Sequence, residues 1–495
     1  MLGAYRGAER NRLRKDWSPL GGSPDADLLG ELPTLRERSR DLNRNDAHAA
    51  AITNTVVVNT VGTGIKPQCR LDREGLGLTE AAARTFERAA ERAWRSWCPL
   101  ADAQNRVDFY ELQGLVQRQI LENGEVFILP LMLKQDKWRP VKLALEVIEA
   151  DRVMTPPGKS GDPTMRDGIE LGARGEPVAY WVRKRHPGDV LLGGSNTMGA
   201  SIQDFVRYPA MNAAGRRNVF HLYWVKRPGQ TRGEPFFSPV LTAFKDLGDF
   251  LEAYLVAARI EACATAFIEK TNPYGAVSSL TQTDGAGKRV QEFEPGSIFY
   301  GQEGEKITFF SPQRASGVFE PFVLAMLRSI GAALGLPLEL VLKDFSRTNY
   351  SSARAALLEA RRFFQGYQQW LATRLCQPVW EMVLEEAWLR ELLPSINLFG
   401  EQRDQWMKAR WLAPGWGWVD PTKEAEASKL AMDNYVSTLA EECASRGVDY
   451  EDNLRQIAAE RKLMEELNLP TPAPSAPGAQ GAAPAPAADE ETTYA

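Results

Sequence analysis

Histidine and cysteine are scarce in this chain: three histidines and five cysteines stand among 495 residues. Cys69, Cys98, Cys263, Cys376 and Cys443 are scattered and form no C-x-x-C pair. That argues against a zinc site or a disulfide framework and fits a reducing compartment. His48, His186 and His221 stand far apart and read as structural or surface imidazoles. No apolar run approaches a membrane span, and the opening MLGAYRGAERNRLRKDW has positive charge without the apolar stretch of a secretory signal. A soluble protein with no membrane partner is expected.

Signs of catalysis are equally thin. Two Gly-Lys pairs invite a phosphate-loop reading, but Val153 and Gln282 stand where each needs its first glycine. In the second pair Arg289 also replaces the magnesium-binding hydroxyl. Ser195 lies in GGSNTMG, which is no nucleophile elbow. No compact D-x-D or E-x-x-H cluster suggests a metal. The expectation is no enzyme, no catalytic residue, no metal and no cofactor.

What is present is an ordinary globular composition, 44% hydrophobic and 25% charged, with a formal charge of −5. Such a balance does not suit a protein that grips nucleic acid over its whole surface. Residues 1–32 mix Arg with Gly, Pro and Ser and read as a mobile arm. Helical patterns follow over Pro33–Val61, from Thr79 (Ala82, Phe86, Ala90, Trp94) and from Asp108 to Gly124 (Phe109, Leu112, Val116, Ile120). The periodicity then changes. EVFILPLML, VKLALEVI, the hairpin around Gly175 and VFHLYWV read as strands, with 155–167 as loop. Residues 33–237 therefore form one α+β unit, helices first and a largely antiparallel sheet after.

A long helix is expected over 238–269, opened by Ser238 and Pro239. Turn residues and short β-like pieces (GSIFY, KITFF) fill 270–315, and a second helix occupies 316–335. Next comes GLPLELVLKDFSRTN, a charged loop held between helical segments. A helix over 351–393 with a kink at Pro378 follows it, within a segment that reaches 419. Two short helices broken at Gly447 complete 420–467, and the Pro/Ala-rich 468–495 reads as disordered. On composition alone, the basic residues of the loop are ordinary solvated charges.

Several separated segments change that. LNRNDAHAAAITNTVVVNTVGTGIKPQ, GARGEPVAYWV, RPGQTRGEPFFSPVL, LGLPLEL with DFSRTNYSSARAALLE, and GWGWVDPTKEAEA occur in order over about residues 30–465. Together they resemble the portal proteins of lambda-like tailed phages. The resemblance implies an α+β portal fold: a wing (33–237), stem helices (238–269 and 316–335) and a clip between them (270–315). It further implies a tunnel loop (336–350), a long kinked wing helix (351–419) and a helical crown (420–467).

It also implies a homo-oligomeric ring, typically a dodecamer, at one capsid vertex of the virion. Double-stranded DNA passes through the channel without sequence specificity. The implied partners are the terminase large subunit, head-completion or adaptor proteins, and the major capsid and scaffold proteins, with assembly in the host cytoplasm. Lys343, Asp344, Phe345, Ser346 and Arg347 become the candidate channel-facing residues, and Lys245 and Arg328 lesser candidates in the stem. The competing readings are a nucleic-acid-processing enzyme and a scaffold protein without a channel.

Overall fold

A computed structural model describes residues 12, 19–133, 137–191, 201–262, 266–270, 282–283, 289–290, 305–309, 319–346, 348–417 and 421–470. They divide into two units, Met1–Val419 and Asp420–Ala495. Ser195, the GSIFY segment, Lys288 and the tail from 471 lie outside the described residues.

The first unit starts with helices α1 (Pro24–Leu28), α2 (Leu32–Asn45) and α3 (Ala47–Thr60). The single helix expected over 33–61 is thus two. Asp46 is extended (φ −105°, ψ 123°) and its carboxylate accepts the Ala49 N–H at 2.8 Å, capping α3 where α2 ends. α1 lies inside the expected mobile arm, yet it is pinned. Asp25 accepts from the Thr231 N–H and hydroxyl at 2.9 Å each, and Asp27 accepts from Arg227 at 2.7 Å.

Strand β1 (Lys66–Cys69) precedes α4 (Glu80–Trp97) and α5 (Phe109–Asn123). The α5 boundaries match the sequence reading: Asp108 and Glu111 form a capping box, and Gly124 ends the helix in the left-handed region (φ 85°). Its Phe109, Leu112, Val116 and Ile120 are all buried. On α4, Phe86, Ala90 and Trp94 face inward as expected, but Ala82 is exposed and Ala83 is buried instead.

The expected strands form as β2 (Glu125–Met132), β3 (Leu143–Ile148), β4 (Met165–Arg166), β5 (Ile169–Leu171), β6 (Pro177–Arg183), β7 (Phe205–Pro209) and β8 (Phe220–Tyr223). They build two antiparallel sheets, ordered β3-β2-β8 and β4-β5-β6-β7. The short β4 falls within the stretch expected to be loop.

Helix α6 spans Leu241–Ala262 and stops short of the expected residue 269. Ala266–Lys270 (β9) is extended instead, where Thr265, Phe267 and Ile268 favour a strand. After β10 (Gln282–Thr283) and β11 (Arg289–Val290), β12 (Glu305–Phe309) pairs antiparallel with β9, so the first four residues of KITFF form a strand. The chain continues through α7 (Phe319–Leu334), α8 (Leu338–Leu342) and α9 (Tyr350–Leu371) to α10 (Gln377–Leu389). A π-helical turn, Ala372–Cys376, joins α9 to α10 just before Pro378. The widened turn absorbs the crowding that proline imposes on an α-helix, so the helical path continues through it. α11 (Arg403–Trp406) leads to β13 (Ala409–Leu412), which pairs antiparallel with β1.

Two main cores follow from this path. The first joins α4, α5, β2, β3 and β8 to α10, with Trp94 5.4 Å from Trp380 and 5.0 Å from Phe109 between ring centres. The second joins α3, α6, α7, α8 and α9 through Ile52, Val56, Phe244, Leu327, Val341 and Phe364. The second unit holds α12 (Pro421–Asp433), α13 (Leu439–Ser445) and α14 (Tyr450–Glu466), one helix more than expected. The break at Gly447 (φ 73°) is present.

Candidate functional site

Helices α6 and α7 run antiparallel. Phe250 meets Phe322 at 4.7 Å and Tyr254 meets Phe319 at 4.1 Å between ring centres. α7 then ends in a Schellman closure: Gly335 is left-handed (φ 71°) and the Leu336 N–H donates to the Gly331 carbonyl at 2.8 Å. Leu336 is buried, and Val341 on α8 packs into the second core. Residues 336–342, the first half of the stretch expected to be a loop, are therefore anchored and partly helical.

The exposed part is short. Lys343 ends α8 in the left-handed conformation (φ 55°, ψ 32°), sparsely populated by residues other than glycine. The Asp344 carboxylate accepts the Ser346 N–H at 2.9 Å. Thr348 donates its N–H and its hydroxyl to the Phe345 carbonyl at 3.2 and 3.0 Å. Asn349 accepts the Ser352 N–H at 2.8 Å and opens α9. These bonds make a defined turn that presents Lys343, Asp344, Phe345 and Ser346 to solvent, with Phe345 41% exposed. Arg347 lies outside the described residues.

The two stem candidates differ from each other. Lys245 is exposed but pairs with Asp249 one turn along, which neutralises its charge locally. It also lines a cleft of about 430 Å³ between α2 and α6 with Arg38, Asp41, Leu42, Leu241, Thr242 and Asp246. Arg328 is exposed on α7.

A buried ionic junction fixes the frame behind this turn, and sequence reasoning missed it. Arg232 is fully buried just before α6. Its Nε donates to Glu125 at 2.7 Å, and its other nitrogens reach the carbonyls of Ala150 and Val153 and the Asp167 carboxylate. Glu125, at the start of β2, also takes Arg36 from α2, the Gly233 N–H at 2.8 Å and His221 Nε2 at 2.8 Å. One carboxylate thus ties α2, the β3-β2-β8 sheet and the approach to α6 together, and Arg232 carries the link on to Asp167 between β4 and β5. Burial by itself would push the Glu125 carboxyl up, but the guanidiniums of Arg232 and Arg36 outweigh it and hold it well below the usual carboxylate range. Nothing local marks Arg232, which stands among other charged and polar residues in KRPGQTRGEP. Its partner Glu125 lies 107 residues away.

His221 reports on this junction. Burial pushes its imidazole below the usual value, against the hydrogen bond it donates to Glu125, which favours charge. Folded His221 is neutral and donates Nε2–H, while the unfolded residue takes a proton near pH 6.5. The unfolded chain therefore binds more protons, and stability falls as pH drops through about 6.5, by about 1.4 kcal/mol for each unit of depression. Glu125 adds a separate loss only below about pH 4.3. In His221→Gln the melting temperature is expected to vary less with pH between about 7.5 and 5.5. An unchanged slope in differential scanning fluorimetry would contradict this role.

Beside the junction, Glu149, Asp151 and His186 bring ligand-type atoms within 4.8 Å of one another. Arg40 already pairs with Asp151 and stands 3.6 Å from Glu149, so the cation of this cluster is a guanidinium. Lys159, from the first Gly-Lys pair, is engaged with Glu170 at 3.4 Å and lies over the Trp181 ring. Among the described residues, no helix is long and apolar enough to cross a membrane.

The chain is 25% identical over 477 residues to a probable portal protein of Halomonas phage phiHAP-1, covering 94% of this chain and 88% of the relative. It is 25% identical over 494 residues to portal protein B of Escherichia phage lambda, covering 93% and 89%. A solved structure described as the virion of a native gene transfer agent particle aligns with a TM-score of 0.45 at 13% identity, over 85% of this chain and 95% of that one. The family "Phage portal protein, lambda family" matches residues 10–368. The chain belongs to the lambda family of phage portal proteins.

Proposed function

We propose that this portal protein closes into a ring, of twelve copies, whose axial channel carries double-stranded DNA into and out of the capsid, and that the turn Lys343–Asn349 is the channel's DNA-facing constriction. The observation that carries this reading is the turn itself. Its Lys343, Asp344, Phe345 and Ser346 are exposed, hydrogen bonds within the turn close it, and α8 and α9 on either side reach a core that also holds α6 and α7, through Val341 and through Ala360 and Phe364. A short charged tip on so rigid a mount suits a fixed contact with something that moves past it.

The charge pattern supports a conduit over a binder. Proteins that neutralise many phosphates hold on, with affinity falling steeply as salt rises. Lys343 and Arg347, diluted by Asp344, centre a duplex without gripping it. Bases are not read, since equivalent loops around a ring cannot all follow one sequence. The β9–β12 region between α6 and α7 takes the clip role, receiving first the terminase large subunit and then head-completion or adaptor proteins. Major capsid and scaffold proteins meet the wing. The chain is no enzyme in this reading: packaging energy comes from the separate motor. Assembly takes place in the host cytoplasm before the chain joins the virion.

The ring has a direct physical signature. Twelve chains of 55.1 kDa give about 660 kDa, held by head-to-tail contacts that close on themselves. Light scattering on the purified protein is expected to show a species of that order. A stable monomer or dimer at every concentration and salt tested would sink the assignment.

A further inference from the structure

We propose that the C-terminal helices α12–α14 take their main hydrophobic contacts from the same helices of neighbouring copies, so that this module completes its fold only in the assembled ring. The inference rests on the ring reading above and extends it to a segment, 421–470, beyond the family match, which ends at residue 368.

The module has well-specified helices and almost no core. Thr438 and Glu441 form a capping box on α13. Asp449 caps α14, and Arg455 pairs with Glu451 one turn back at 2.7 Å. Yet α12 and α14 hold no buried residue, and Cys443 on α13 is the module's single buried side chain among the described residues. Helices of this length are marginal in water without an apolar surface to pack on. A unit of about 50 residues needs nearly all of its apolar side chains inside to stand alone.

Those side chains are instead outside, on two different elements. The last turn of α12 and the turn after it carry one set: Leu430 is 62% exposed, Tyr435 95% and Val436 80%. Tyr435 adopts the left-handed conformation (φ 58°), and the Val436 N–H closes onto the Ala431 carbonyl at 2.9 Å. A tyrosine and a valine are thus held outward at some backbone strain. α14 carries the other set. Its Tyr450, Ile457 and Met464, at seven-residue spacing, are half-buried, while Leu463 and Leu467 form a second apolar line, 54% and 60% exposed. That second line lies about a third of the way round the helix.

Two dissimilar apolar faces on one small module are what a ring subunit requires, because a head-to-tail contact joins one face to a different face of the next copy. Charge separates this occupant from nucleic acid. Residues 421–470 carry six Lys and Arg against eleven Asp and Glu, so a DNA duplex is repelled. Neighbouring copies repel one another as well, so the apolar contact forms against a like-charge field and strengthens as salt screens it. A basic partner would show the opposite salt dependence.

The test is hydrogen–deuterium exchange on the full chain, with ring and sub-ring fractions separated by size. Amides of 439–466 are expected to exchange about tenfold or more slowly in rings than in sub-ring chains, with protection rising between about 0.1 and 1 M NaCl. The double variants Tyr435→Ser/Val436→Ser and Leu463→Ser/Leu467→Ser should each still form rings through the first unit and lose that protection. Rings whose 439–466 segment is unprotected in the wild type, or equally protected in both variants, overturn this inference and leave the ring reading standing. Protection gained only on adding duplex DNA, or lost with salt, overturns it in favour of another partner. Failure to form rings under any condition overturns the ring reading first.

Discussion

Replacing Arg232 by alanine is expected to lower the melting temperature of the purified protein by about 10 °C, or to leave it insoluble. The reason is what remains behind. Glu125 has no solvent exposure, and it keeps its charge because Arg232 and Arg36 hold it. Removing one partner of a buried, hydrogen-bonded pair strands the other charge, at about 3–5 kcal/mol. Here the same deletion also takes one donor from each of the carbonyls of Ala150 and Val153. Arg232→Lys does not restore stability, because one ammonium cannot reproduce a guanidinium's fork of donors.

An independent substitution reaches the same joint without touching charge. A Cβ on Gly233 would lie 2.2 Å from the Gly124 carbonyl oxygen, and one on Gly124 would lie 2.3 Å from the Glu234 carbonyl carbon. The two backbones cross where only glycines fit, so Gly233→Ala should destabilise by a comparable amount. A shift below about 2 °C in thermal unfolding for both Arg232→Ala and Gly233→Ala would show that the junction is not what joins α2 and β2 to the approach to α6.

The second large effect is functional. Removing the cations of the exposed turn, as Lys343→Ala with Arg347→Ala, is expected to reduce packaged DNA about tenfold or more in a complementation assay, with ring yield unchanged. Each subunit offers few cations, yet in the proposed ring they would be multiplied at one height, so the whole proposed constriction would feel the loss. Lys343→Gly sharpens the test. Glycine accepts the left-handed backbone that Lys343 occupies, so the charge goes while the turn is relaxed. If Lys343→Gly with Arg347→Ala packages and retains DNA like the wild type, the turn is not the DNA contact. If Lys343→Ala fails while Lys343→Gly succeeds, turn geometry matters and charge does not.

Much of this arrangement could be read from local chemistry. The Asp108 box and the Gly124 stop bound α5 because capping needs only residues within one turn of each other. The β-former content of 125–132 and 141–148, with a turn between them, specified β2 and β3 for the same reason. What was misread depended on context. Asp46 sits inside an unbroken helical pattern, and only its own extended backbone turns it into a cap. The segment 266–270 became a strand because 305–309, far along the chain, pairs with it. In 336–342 the apolar LPLELVL did signal burial, but the charges that follow drew attention to the whole stretch as a loop.

The candidate site divides along the same line. Lys343, Asp344, Phe345 and Ser346 were legible as an exposed charged turn, because a break at Gly335 and Pro337 and a cap at Asn349 surround them. The frame that holds the turn was not legible. Arg232, Glu125, Arg36 and His221 are ordinary charged residues until the fold excludes water around them. Separations of 107 residues for Arg232 and 89 for Arg36 leave no local trace. Lys245 shows the converse: it is exposed, yet paired within its own helix.

The most direct test of the ring and its channel is electron microscopy of the purified full-length protein viewed down its axis. The account predicts closed rings with a central hole, of twelve subunits. Open filaments, or particles without a hole, would contradict it.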